Sequence, residues 1–199
     1  MRRIFIAMAL AAGACSANAA ATTWNFSYTG FLTTHRQVDQ LQGIDQTTTA
    51  FRPDIAIGGT FAGVDDDGDG LISLSELTAF DFDGRDYIGC IAAPSPYGHC
   101  SIQRFSYTPG GNLEVSAGWS GNDEFWSGWS GSVTSGVRIT DSSYGRFTES
   151  DWTYDWTDQT RFSITAVGAP PPVPEPAAAG MTALGVLLLG ALARARRAR

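Results

Sequence analysis

The chain contains no lysine, and all 13 of its basic residues are arginines. The absence of lysine excludes Schiff-base catalysis and the lysine of a phosphate-binding P-loop. Histidine is also scarce, since His35 and His99 are the only two. Neither the G-x-S-x-G motif of serine hydrolases nor the H-E-x-x-H motif of zinc proteases occurs. These absences favour a protein that is not an enzyme, and they leave a pair of carboxylates as the main catalytic alternative.

Positive charge is concentrated at the two ends of the chain. Six arginines lie within residues 1–3 and 194–199, so residues 20–173 carry 7 arginines against 19 acidic residues, a balance of −12. A domain this acidic repels the phosphate backbone of DNA and RNA, and we therefore expect no nucleic-acid partner. With 43% hydrophobic and 12% aromatic residues, the chain is too apolar to be disordered.

The first 19 residues have the three parts of a secretory signal peptide. Arg2 and Arg3 supply the basic start, residues 4–12 form a short apolar run, and Ala17-Asn18-Ala19 matches the A-x-A cleavage site. We predict cleavage after Ala19. An uncleaved anchor is disfavoured because the apolar run is too short to cross a bilayer. Cleavage before Cys15, as in a lipoprotein, is disfavoured because the large aliphatic residue that normally precedes the cysteine is missing.

The last 31 residues read as a spacer, a membrane span and a basic tail. Residues 169–176 are rich in proline, which favours an extended polyproline-like segment. Residues 177–193 are apolar apart from Thr182 and just long enough for a transmembrane helix. Four arginines in 194–199 predict a cytoplasmic tail, because basic residues beside a span are retained on that side. A buried helix with a basic tail is the alternative.

This C-terminal arrangement resembles the PEP-CTERM sorting signal of Gram-negative bacteria. The resemblance rests on Val173, Pro174, Glu175 and Pro176, followed by the Ala/Gly/Leu-rich span and the terminal arginines. It implies recognition by exosortase, a membrane transpeptidase, and removal of the tail near the Pro-Glu-Pro motif. The implied localisation is an inner-membrane-anchored precursor that then reaches the cell surface or the extracellular space. Association with exopolysaccharide is a further implication of the family.

Residues 20–168 show the short alternating runs and frequent turn residues of β-structure. The pattern predicts an all-β domain, an antiparallel β-sandwich or a barrel-like fold of about eight to ten short strands. Residues 24–28 and 152–156 each place three aromatic side chains on one face, and residues 87–91 read as a short apolar strand. The polar stretch 33–50 reads as a long loop or a ragged hairpin.

Residues 65–76 fit the 12-residue EF-hand calcium loop position by position. The predicted calcium ligands are the carboxylates of Asp65, Asp67, Asp69 and Glu76, the carbonyl of Leu71, and Ser73 directly or through a water. Gly70 occupies the sharp turn, and Ile72 is the residue expected to tie the loop to the core. Glycines precede the loop where an EF-hand has its entering helix, so we predict an EF-hand-like loop between strands, with a short exiting helix over 73–80. A structural role for calcium is favoured over sensing, and an acidic surface turn without tight binding is the alternative.

Cys90 and Cys100 remain after removal of the signal peptide. In an oxidising compartment such a pair predicts a disulfide. A zinc site that recruits His35 and His99 is disfavoured, because no C-x-x-C pair is present.

The tripeptide Trp-Ser-Gly occurs three times, beginning at Trp119, Trp126 and Trp129. These tryptophans belong either to the core or to an exposed stacking platform for sugar rings. The overall prediction is a non-enzymatic surface or matrix protein with structural calcium. The alternatives are a carbohydrate-binding module that uses the Trp-Ser-Gly region, and a carboxylate-pair hydrolase with two acids facing each other across a cleft.

Overall fold

The computed structural model describes residues 21–168. The predictions for the signal peptide (1–19), the spacer with its sorting motif (169–176), the span (177–193) and the arginine tail (194–199) lie outside the described residues. Within 21–168, no helix has both the length and the apolarity needed to cross a bilayer.

Strands make up about two thirds of the structure, and helix contributes little. In chain order the elements are β1 (Thr22–Asp39), β2 (Ile44–Gly63), β3 (Ile72–Ser73), a 3-10 turn (Leu74–Glu76), β4 (Leu77–Phe82), β5 (Arg85–Asp86), α1 (Tyr87–Ala92), β6 (Gly98–Tyr107), β7 (Leu113–Asn122), β8 (Gly128–Thr134), β9 (Arg138–Tyr144), β10 (Thr148–Asp155) and β11 (Arg161–Val167).

All strands join one antiparallel sheet that curls into a half-barrel. The strand order is β3-β6-β7-β8-β9-β10-β1-β2-β4-β5, and β11 pairs with β1. The all-β prediction is therefore confirmed, and of the two architectures that the sequence leaves open, the barrel-like one is present.

Strand β1 is the organising element of the sheet. It pairs with β2 along almost its whole length, while β10 covers the C-terminal half of its other edge and β11 the N-terminal half. Between these halves the register of the β1–β2 pairing shifts between Thr29 and Phe31. Gly30, which lies at the shift, has a φ of 79°. An added Cβ on Gly30 would also lie 3.1 Å from the Gln159 carbonyl oxygen. Glycine thus allows the bulge that bends β1 around the concave face.

Aromatic side chains fill the concave face. Trp24, Phe26 and Tyr28 alternate inward along β1 and are buried, as the sequence pattern predicts. The Trp24 ring stacks on Phe61 of β2 at 5.0 Å, and Phe26 stacks on Phe80 of β4 at 6.3 Å. Burial of each such side chain stabilises the fold by about 1.5–3 kcal/mol.

The prediction of a strand over 87–91 is wrong, because Tyr87–Ala92 forms helix α1. Asp86 is its N-cap, and its Oδ1 accepts a hydrogen bond from the Gly89 N–H at 2.9 Å. An N-cap aspartate satisfies one of the N–H groups that the first turn of a helix leaves without a partner inside the helix. The short apolar run fits both structures, and the preceding aspartate favours the helix.

Two other segments form longer strands than the sequence pattern predicts. The stretch 33–50 is a hairpin between β1 and β2, one of the two structures that the sequence leaves open, and its pairing is regular. Its turn is held by Asp39 Oδ1, which accepts the N–H groups of Leu41 and Gln42. The predicted helix over 73–80 is limited to one 3-10 turn, after which β4 begins. Pairing of β4 with β2 buries Phe80 and Phe82, which a short exposed helix would not achieve.

Candidate functional site

The acidic loop lies between the end of β2 and the short strand β3, and the core holds both of its ends. Ile72 is 3% exposed, as the sequence analysis predicts for the residue that ties the loop to the core. An added Cβ on Gly63 would lie 2.5 Å from Ile72 Cγ2, so glycine is needed for this close approach. The Val64 N–H donates to the Glu76 carbonyl at 3.2 Å and closes the base of the loop.

Three of the predicted calcium ligands converge in this loop. Asp65, Asp67 and Glu76 each offer a carboxylate oxygen, and the three oxygens lie within 4.8 Å of one another. The Asp65 carboxylate also accepts the N–H groups of Gly68 at 2.7 Å and Gly70 at 2.9 Å. Gly70 has a φ of 81°, as expected for the sharp turn. The loop therefore already has the curvature that brings carboxylates 1, 3 and 12 together.

The Glu76 carboxylate is the best-anchored group of the three. Its Oε2 accepts the Ser73 N–H at 2.9 Å and the Ser73 hydroxyl at 2.7 Å, and its Oε1 accepts the Asp66 N–H at 2.8 Å. Hydrogen bonds from Ser73 and then from Asp66 lower the pKa of Glu76 to about 2. Glu76 is therefore charged and fixed in position at neutral pH.

Two of the other predicted ligands, Asp69 and Ser73, have hydrogen-bond partners within the loop. Asp69 Oδ1 accepts the Leu71 N–H at 2.8 Å, and Asp69 is not part of the converging group. Ser73 donates its hydroxyl to Glu76. All six residues, the converging three as well as Asp69, Leu71 and Ser73, stay predictions as calcium ligands.

The cysteines form the predicted disulfide. Cys90 on α1 and Cys100 on β6 are joined with an S–S distance of 2.02 Å and a Cα–Cα distance of 5.8 Å. The bond fixes α1 to the sheet. It also removes the two thiolates that the zinc alternative requires.

Cross-strand pairing explains the spacing of two of the three Trp-Ser-Gly tripeptides. In the register of β7 and β8, Trp119 lies opposite Gly131, and Gly121 lies opposite Trp129. An added Cβ on Gly121 would lie 2.5 Å from the Trp129 ring, and one on Gly131 would overlap the Trp119 ring. Each indole therefore covers the glycine of the facing strand, an arrangement that stabilises glycine within a sheet.

The three tryptophans differ in exposure. Trp119 is 8% exposed and belongs to the core, whereas Trp129 is 37% and Trp126 is 65% exposed. The sequence did not distinguish a core position from a surface position for these tryptophans. In the structure one of the three is in the core and two are exposed. The Arg146 guanidinium lies 5.4 Å from the Trp126 ring centroid and 5.0 Å from that of Phe147, so it joins the two rings.

The turn between β7 and β8 is held rigidly by Asp123. Its Oδ1 accepts the N–H groups of Phe125, Trp126 and Ser127 at 2.8–2.9 Å, and its Oδ2 accepts the Ser127 hydroxyl. The hydrogen bonds from Ser127, followed by those from Phe125 and Trp126, lower the pKa of Asp123 to about 2. The turn thereby holds Phe125, which is 77% exposed, away from the core.

Phe125 and Trp129 line a shallow depression of about 370 Å³ together with Tyr97. We call Phe125, Trp126, Trp129 and Phe147 the aromatic rim. Sequence analysis did not single out Phe125 or Phe147, although the Asn-Asp pair before Phe125 is a turn signal.

Comparison of the chain with models of known protein families, with curated proteins and with solved structures finds no match in any of the three.

Proposed function

We propose that this protein is an exported, non-enzymatic surface or matrix protein whose β-domain is stabilised by calcium at residues 65–76. The single observation that carries the proposal is the convergence of oxygens from Asp65, Asp67 and Glu76 within 4.8 Å. Calcium prefers hard oxygen ligands, and these carboxylates lie at positions 1, 3 and 12 of a loop whose remaining ligand positions come from the same segment.

Charge supports the assignment. Five acidic residues within 65–76 repel one another unless a cation lies among them. Both ends of the loop are joined to the core, through Ile72 and through the hydrogen bond from Val64 to Glu76. Calcium bound here therefore couples to the stability of the whole sheet, which favours a structural role over sensing.

The destination of the protein is proposed from the sequence alone. The signal peptide 1–19 and the resemblance of 173–199 to a PEP-CTERM signal support export, transient anchoring by 177–193 and processing by an exosortase-type transpeptidase. Exopolysaccharide is the expected neighbour at the surface. The acidic domain is not suited to binding nucleic acid.

Thermal unfolding of the full chain in detergent tests the calcium site. A ligand that binds only the folded state stabilises it by about 2.7 kcal/mol at a 100-fold excess over its Kd, so calcium should raise the Tm relative to chelator. Asp65→Asn and Glu76→Gln should abolish the difference. Asp66→Asn is the matched control, because it removes one charge from the same loop outside the converging group. Equal melting curves with calcium and with chelator for the unmodified chain would refute the proposal.

Asp69→Asn tests the size of the ligand set. If Asp69 moves from the Leu71 N–H to the ion, this variant should also lose most of the calcium-induced shift. A calcium-induced shift equal to that of Asp66→Asn would limit the carboxylate ligands to the converging three.

Glycan binding is the second candidate function, and the aromatic rim favours it. Trp126 is 65% exposed, braced by Arg146, and held on a turn that Asp123 fixes by four hydrogen bonds. A rigid exposed ring loses little conformational entropy on binding, and its flat face matches the apolar C–H face of a pyranose. A glycan array probed with the full chain in detergent tests this candidate. Trp126→Ala should reduce the signal, whereas Tyr144→Ala removes an exposed ring outside the rim and should not.

A further inference from the structure

A cavity lies at the end of strands β7–β10 that is opposite the aromatic rim. Antiparallel strands joined in sequence place successive turns at alternate ends of the sheet. The turns β7–β8 and β9–β10 carry Trp126 and Phe147 of the rim, whereas the turns β6–β7 and β8–β9 and the segment between β10 and β11 lie at the other end. Residues of these three segments, together with β1, line a cavity of about 340 Å³. We call it the end cavity.

One wall of the end cavity is aromatic. Tyr28 on β1 is buried, and two half-buried rings that also line the cavity pack against it. The Phe162 ring stacks on Tyr28 at 4.9 Å and 29°, and the Trp156 ring meets Tyr28 edge-on at 5.1 Å. Trp156 also contacts the buried Phe31 ring at 5.0 Å. The core therefore holds both outer rings in place while part of their surface stays accessible.

Hydrogen bonds join the segments that surround the end cavity. The Ser135 Oγ accepts the Val115 N–H at 2.9 Å, and the Ser135 N–H donates to the Val115 carbonyl at 2.9 Å. The Trp156 N–H donates to the Val137 carbonyl at 3.1 Å. These bonds tie the β8–β9 turn both to β7 and to the segment after β10. The cavity is thus preformed, which limits the entropy that is lost when a ligand binds.

The polar groups of the end cavity include both donors and acceptors. Asn112 and Glu114 lie at the start of β7 and are exposed, so the cavity opens to solvent. The Asn112 amide both donates and accepts, and the Glu114 carboxylate accepts. The Ser135 hydroxyl accepts the Val115 N–H and keeps a hydrogen that it can donate. Among the described residues that line the cavity, Glu114 is the only charged one.

This lining fits a polyhydroxylated ring better than other small ligands. Sugar hydroxyls need donors and acceptors together, and Asn112, Glu114 and Ser135 supply both. A phosphate or sulfate ester needs a cationic partner, which the described lining does not contain. An entirely apolar ligand would cover the Glu114 carboxylate without giving it a hydrogen bond, which is costly. The volume lies near the lower end of the range for small-molecule sites, which suits a short sugar rather than a long chain.

We propose that the end cavity binds a neutral mono- or disaccharide. The rings of Trp156 and Phe162 contact the apolar face of the sugar. Glu114 and Asn112 accept hydrogen bonds from its hydroxyl groups, and Asn112 and Ser135 donate to its oxygens. The charge of Glu114 disfavours sugars that carry a carboxylate. The end cavity is separate from the aromatic rim, so the proposal does not depend on glycan binding there.

Isothermal titration of the full chain tests the end cavity, with calcium present and in a detergent whose headgroup is not a sugar. Cellobiose, maltose and lactose are the neutral probes. The uronic acid form of each, in which a terminal carboxylate replaces a CH₂OH group, is the matched anionic probe. We expect at least one neutral probe to bind, and its uronic acid form to bind more weakly.

The exposed polar residues supply the variants, because changing them does not disturb the core. Glu114→Gln and Asn112→Ala should each weaken binding of the neutral probe by about tenfold, as for loss of one hydrogen bond to a ligand. Glu114→Gln should also reduce the discrimination against the uronic acid form, which a purely structural effect would not do. Glu149→Gln makes the same change at an exposed site near the other end of β10 and should leave the affinity unchanged.

The indole N–H resonances locate the bound sugar. The Trp156 resonance, assigned with Trp156→Phe, should shift when the neutral probe is added, and the Trp126 resonance should not. Absence of binding by all three neutral probes would overturn the proposal, and so would an affinity unchanged in both Asn112→Ala and Glu114→Gln. Loss of binding in Trp126→Ala, with those two variants unaffected, would overturn the end cavity and retain glycan binding at the rim.

Discussion

The Trp119 indole on β7 lies directly over Gly131 on β8, where any side chain would overlap it. Two residues further along the same pair of strands, and on the same face, Trp129 on β8 covers Gly121 on β7. Each of the two strands thus contributes one tryptophan, which covers a glycine of the other strand. A slip of two residues would place tryptophan against tryptophan, so the pairs fix the register of β7 and β8.

Gly131→Ala should destabilise the fold. The added methyl group would overlap the Trp119 ring and approach the Thr140 carbonyl oxygen, and overpacking of this kind costs about 1–3 kcal/mol. Gly118→Ala, on β7, is the matched control, because the atoms nearest to its added Cβ, the Gly131 carbonyl oxygen and Ser101 Oγ, would be 3.6 and 3.7 Å away. Urea denaturation followed by tryptophan fluorescence compares the two. Equal unfolding midpoints would show that Trp119 moves aside without cost.

Asp123→Asn should make the stability of the fold less sensitive to pH in the acidic range. Hydrogen bonds from Ser127, Phe125 and Trp126 hold the folded-state pKa of Asp123 at about 2, below its ordinary value. A depressed pKa stabilises the fold above the unfolded-state pKa, and this contribution is lost as the pH falls from about 5 to about 2. The Tm of the unmodified chain should therefore fall more steeply over that range than the Tm of Asp123→Asn. Asp158→Asn should follow the unmodified chain.

Reduction of the disulfide should lower stability without abolishing the sheet. Cys90 and Cys100 are 10 residues apart, and a closed ring of that size contributes about 2.5–3 kcal/mol in the chain-entropy model. Cys90→Ser/Cys100→Ser should lower the free energy of unfolding by that amount in chemical denaturation. Mass spectrometry of the exported protein without reductant should show the two cysteines joined. Two freely alkylatable thiols in that material would contradict the assignment.

Glu175→Ala should retain the precursor in the inner membrane of a host that has an exosortase. The resemblance to PEP-CTERM signals assigns recognition to 174–176, whereas Pro172→Ala alters only the spacer and should be processed normally. Intact-mass analysis of the surface fraction should show a mature protein that lacks residues 177–199. A surface protein that retains the arginine tail would identify 173–199 as an ordinary anchor.

The cluster of carboxylates was accessible to sequence analysis because all three residues belong to one 12-residue segment. Spacing alone places Asp65, Asp67 and Glu76, and a tight turn at Gly70 brings them together. The stacking of Trp152 on His35 was not accessible, because it depends on which strands are neighbours. Alternation along β10 shows that Trp152 and Tyr154 share a face, but nothing in that alternation identifies His35 as the residue opposite Trp152.

The residue pattern also did not determine the structure of two local segments, 87–91 and 33–50. Residues 87–91 fit a strand or a helix equally well, and a single hydrogen bond from the Gly89 N–H to Asp86 favours the helix. Residues 33–50 are polar, yet they form regular strands because β10 and β2 cover both edges of β1. In both cases a partner outside the segment determined its structure.

The pairing of β1 with β11 constrains the order in which the sheet can form. Thr23 lies opposite Val167, so the N-terminal half of β1 lacks its second neighbour until nearly all of the domain is available. Contacts this distant in sequence slow folding, and an incomplete chain keeps the edge beside Trp24, Phe26 and Tyr28 open to other strands. A nascent or C-terminally truncated chain should therefore depend on chaperones and be prone to aggregation, whereas the complete domain closes that edge with its own last strand.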